Sequence, residues 1–86
     1  MTEHDAPASA AAAEHDRRSV EHLRNAIATV HRVIDENRRL ATDFPNHAAS
    51  AHQRILEGEG ELVRFEAELA EVEARIAATD AGDRSG

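Results

Sequence analysis

Two seven-residue rhythms separated by a single proline break leave this chain few ways to fold. Val20, Leu23, Ile27, Val30, Ile34, Asn37, Ala41 and Phe44 advance by alternating steps of three and four. Ala48, Ala51, Ile55, Gly58, Leu62, Phe65, Leu69, Val72 and Ile76 resume those steps after Asp43-Phe44-Pro45-Asn46. Steps of three and four hold side chains on one stripe of a helix, whereas a strand needs a period of two. Proline disfavours helical geometry in the residue before it and lacks the amide that a continuing helix needs, so Phe44-Pro45 ends one helix and opens the next. The fold class predicted is all-α: an antiparallel hairpin of two long, coiled-coil-like helices, pairing with a second copy into a dimeric four-helix bundle.

The boundaries follow from local chemistry. Residues 1–8 are polar and contain Pro7, which reads as a disordered arm, and 80–86 lack any apolar pattern, which reads as a disordered tail. The hairpin occupies 9–79, with helix 1 at about 9–43, a turn at 43–46 and helix 2 at about 46–79. Ser9 is positioned to cap the alanine run that follows it. The weak point is 57–61, Glu57-Gly58-Glu59-Gly60-Glu61, where two glycines sit among repelling carboxylates. Ile55 and Leu62 lie one heptad apart across it, so the stripe keeps its phase and helix 2 is expected to be continuous but soft.

Packing the two stripes about a turn near Asn46 pairs positions whose numbers sum to about 92, so that Val20 meets Val72, Ile34 meets Gly58 and Asn37 meets Ile55. Charge supplies an independent check. In antiparallel pairs like-lettered flanks are neighbours, and here Arg24, His31 and Arg38 run beside Glu73, Glu66 and Glu59. Opposite signs meet along that edge. Asn37 is the one polar side chain in the first stripe, suited either to pinning the register of a bundle or to reaching solvent near the hairpin tip.

A lone hairpin leaves apolar residues over. Val33 and Leu40 flank the first stripe, and Leu56 and Val63 lead a second stripe on helix 2 that continues through Ala70 and Ala77. With 86 residues, two phenylalanines and no other aromatic residue, the core available is small, and a two-helix layer is marginal by itself. Val33, Leu40, Leu56 and Val63 are therefore the candidate association surface. The function this implies is a non-enzymatic helical protein–protein interaction module: a self-associating adaptor, assembly factor or small subunit of a larger complex, with a homodimer expected.

Charge suggests an alternative. From Asn46 to Thr79 seven glutamates stand against three arginines, whereas from Glu14 to Phe44 six acids balance six arginines. An acidic helix 2 repels nucleic acid and anionic membranes and suits a larger partner with a basic or apolar groove; Glu61 and Glu68 would lead an inhibitor or nucleic-acid mimic of that kind. The chain has no cysteine, ruling out thiolate chemistry and disulfides, and its longest purely apolar run, Ala10 to Ala13, is too short to cross a bilayer; a cytoplasmic location is expected. No Ser-His-Asp grouping, glycine-rich phosphate loop or Glu-x-x-His pair appears, so neither catalysis nor a cofactor is expected. Of six histidines, His15 and His22 read as solvated surface, and His31 is the best metal candidate, with Asp35 at i+4 and Glu59 and Glu66 across the proposed register. An ion-pair network around His31 is the simpler reading of the same residues.

Phe44-Pro45-Asn46-His47-Ala48-Ala49 stands where the small hairpin substrates of type VII secretion, the Trp-x-Gly family, carry their turn motif, and most of the chain resembles those proteins in length and layout. The resemblance implies a four-helix dimer and export without a signal peptide. Phe44 takes the place of the family's Trp and Asn46 that of its Gly, and the chain has no Tyr for the family's C-terminal export signal.

Overall fold

The computed structural model describes the backbone of residues 2–85 and the side chains of residues 10–80; the side chains of the expected arm over 1–8 and tail over 80–86 fall outside that range, Asp80 apart, and Ser9 lies within the first helix rather than at its start. Helix α1 (Thr2–Asp43) and helix α2 (Ala48–Ser85) pack against each other as an antiparallel hairpin, and the described residues contain no strand. The 42 residues of α1 correspond to a length of about 63 Å at about 1.5 Å per residue, which accounts for the molecule's 66 × 18 × 13 Å extents.

The break forms as the Phe44-Pro45 pair dictates. Phe44 leaves helical geometry with φ −130° and ψ 84°, while its amide still donates to the Leu40 carbonyl at 2.9 Å as the last bond of α1. Pro45 then opens a 3₁₀ turn, Pro45–His47, in which the His47 amide donates to the Phe44 carbonyl at 2.9 Å. Regular α2 geometry begins at Ala48, where the apolar rhythm resumes and two residues later than the helix start expected at about 46, because the tighter turn takes up the reversal first. Phe44 does not extend the first stripe inward. It is 56% exposed and sets its ring edge-on to His47, the centroids 6.4 Å apart.

The seam is a line of contacts rather than a centre. Leu23, Val30, Ile34, Ala51, Ile55 and Val72 are buried, and Leu62 and Phe65 pack partly covered against Val30, Ile34 and Ile55. Val20, Ile27, Leu69 and Ile76 are only half-buried, since a two-helix layer can enclose one side of each side chain and leaves the other open. The register is fixed at Gly58, where a Cβ would lie 2.8 Å from Ile34 Cγ1. Ile34 fills the space a side chain would have taken, as the sum of 92 requires. α2 runs unbroken through 57–61, and neither Gly58 nor Gly60 has a positive φ.

Candidate protein-interaction surface

The stripes determine which way every other residue faces, because each helical step turns about 100°. Two ion pairs between the helices mark the two flanks. On one, Arg24 Nη2 donates to Glu73 Oε2 at 3.2 Å. On the other, Arg75 Nη2 donates to Asp16 Oδ1 at 3.3 Å, with the Asp16 side chain only 18% exposed. The first pair belongs to the edge of opposite charges read in the sequence. The second does not, although Asp16 continues the first stripe one step before Val20 and its number sums with that of Arg75 to 91.

Along the rest of that edge the expected partners do not meet. Arg38 turns to Asp35 on its own helix at 3.7 Å, and among the described residues His31, Glu59 and Glu66 form no ion pair. Within α1, Glu14 and Arg18 meet across one helical turn at 3.5 Å, whereas in α2 Arg75 reaches Asp16 rather than Glu71 one turn before it. Long exposed side chains choose among several neighbours at little cost, so spacing alone does not select the partner.

Three of the four residues read as an association surface are exposed: Val33 at 41%, Leu56 at 64% and Val63 at 69%, with Leu40 half-buried. They form two surfaces. Val33 and Leu40 lie on the flank closed by Asp16 and Arg75, beside the row Arg54, Glu61, Glu68 and Arg75 of α2. Leu56 and Val63 turn away from α1, toward the flank closed by Arg24 and Glu73. Glu61 is half-buried and Glu68 exposed, and both belong to the Val33 side.

Asn37 does not reach solvent near the hairpin tip. It is buried within the hairpin's own seam at 6% exposure, and its Nδ2 donates to the Val33 carbonyl at 2.8 Å, so its polarity is satisfied by its own helix. Among the described residues no three His, Asp or Glu side chains come together as metal ligands, so His31, Asp35, Glu59 and Glu66 are not gathered into a site. A shallow open groove near the open end brings His15 and His22 of α1 toward Glu68 and Glu71 of α2, again without such a cluster. No described helix is long and apolar enough to cross a membrane. No protein-family model, curated protein or solved structure matches this chain.

Proposed function

We propose that this chain is a non-enzymatic helical protein–protein interaction module, a self-associating adaptor or small subunit of a larger assembly. The observation that carries the reading is the exposure of Val33, Leu56 and Val63 on a hairpin one helix-layer thick whose seam is itself half open. Apolar surface at regular heptad spacing on a long helix is matched most simply by another helix.

The Val33 and Leu40 side is the one for a second copy. There the neighbouring row of α2 carries both signs, Arg54, Glu61, Glu68 and Arg75, so two hairpins laid face to face can offset their charges while covering Val33, Leu40 and the open side of the seam. Sedimentation equilibrium from about 1 to about 100 μM, read beside far-ultraviolet circular dichroism, tests this. A dimer mass at the upper end, and a shift toward monomer in Val33→Asp/Leu40→Asp, is the expected result. A fully folded monomer throughout would refute self-association.

A further inference from the structure

Gly58 and Gly60 of α2 stand in opposite circumstances. Gly58 faces α1, and a Cβ there would press into Ile34. Gly60 faces outward, and a Cβ there would meet nothing within 4 Å. Glycine is the poorest helix former after proline, so a helical glycine with open space over it has no reason within the hairpin. Its position supplies one. Leu56, Gly60, Val63, Ala67, Ala70 and Ala74 advance by steps of four and three along the face of α2 that points away from α1, and all are exposed. This is a second seam on the same helix, with Gly60 as a notch between its two large residues.

The borders of that seam say what can lie on it. One rim is Glu59, Glu66 and Glu73; the other is Glu57, Arg64 and Glu71. A second copy of α2 laid antiparallel would set the all-glutamate rim against itself, and laid parallel would set it against a rim in which two of three residues are acidic. α1 of a second copy offers no matching face, since Val33 is its one exposed large apolar residue among those described and lies on another side. Within the hairpin only Glu73 of the all-glutamate rim is paired, with Arg24, and Glu59 and Glu66 form no ion pair among the described residues.

We propose that the outer seam of α2 is a docking site for a helix of another protein, one whose apolar stripe is bordered by arginine or lysine and carries a large side chain that enters the notch at Gly60. The proposal rests on the reading of the chain as a helical interaction module and names the class of partner. It is separable from self-association, which uses the Val33 side.

The test uses the full chain and two synthetic peptides of four heptads with the same Leu and Ala stripe, one flanked by Arg and the other by Glu, followed by fluorescence anisotropy. The Arg-flanked peptide is expected to bind at least about tenfold more tightly than the Glu-flanked one and to weaken about tenfold between 50 and 500 mM salt. Gly60→Leu is the decisive variant. With open space at that position and a better helix former in place, the hairpin keeps or gains thermal stability, yet the notch is filled and peptide affinity falls at least about tenfold. Equal binding of the two peptides, or undiminished binding to Gly60→Leu, overturns the proposal. So does loss of self-association in Leu56→Asp/Val63→Asp, which would show a second copy on this face and leave the interaction-module reading standing.

Discussion

At the scale of single residues, identical side chains perform opposite tasks according to the face they occupy. Gly58→Ala places a methyl group 2.8 Å from the inner carbon of a buried, β-branched Ile34, so the gain in helix propensity is spent against a clash; Gly60→Ala meets no atom. Gly60→Ala should therefore raise stability by about 0.8 to 1 kcal/mol, or roughly 4 to 8 °C in Tm for a domain of this size, while Gly58→Ala should leave Tm unchanged or lower it. Thermal melts followed by circular dichroism at one fixed protein concentration check the pair. Asn37 gives a second case. Its side chain bonds a carbonyl of its own helix inside an otherwise apolar seam, so Asn37→Leu orphans no buried group and should be neutral or stabilising by about 1 kcal/mol, measured by urea unfolding.

At the scale of the helices, the apolar rhythm and the Phe44-Pro45 break were sufficient to read the hairpin, its turn and its register, because burial acts on the whole stripe and a shift of one residue would move every member off the seam. The ion pairs were much less legible. Of the three expected cross-helix partners of Arg24, His31 and Arg38, only that of Arg24 is met, and the pair of Asp16 with Arg75 was not anticipated. Each such contact is worth little compared with the freedom of the long side chains that make it, so local crowding decides it, and a linear pattern does not record crowding. Nor could spacing show that Asn37 would bond its own helix, a choice that depends on its side-chain rotamer. A double-mutant cycle on Asp16→Ala and Arg75→Ala should give a coupling of up to about 1 kcal/mol, falling with salt, and one on Arg24→Ala and Glu73→Ala a smaller value, since Asp16 is 18% exposed while Glu73 is 48% exposed.

At the scale of the whole molecule, shape is the main physical fact. The radius of gyration is 19.2 Å, against about 12 Å for a compact globule of this length, so little of the chain lies far from water. A fold this thin has few contacts in reserve, and its stability is expected to depend on what it packs against. The midpoint of thermal unfolding should accordingly rise with protein concentration over the micromolar range, and Val33→Asp/Leu40→Asp should remove that dependence; a midpoint independent of concentration in the unmodified chain would argue against self-association.

The opposite placement of the two apolar surfaces also sets a count. If a second copy covers Val33 and Leu40, the outer seam of each α2 remains uncovered, and a twofold pair of hairpins presents two equivalent sockets. Such a pair is bivalent: it can hold two copies of one partner at a fixed spacing, or bridge two bodies that each contribute a single helix. Affinities too weak to hold a partner at one socket would then suffice when both are filled, and the stoichiometry of the assembly would follow from the face on which each stripe falls.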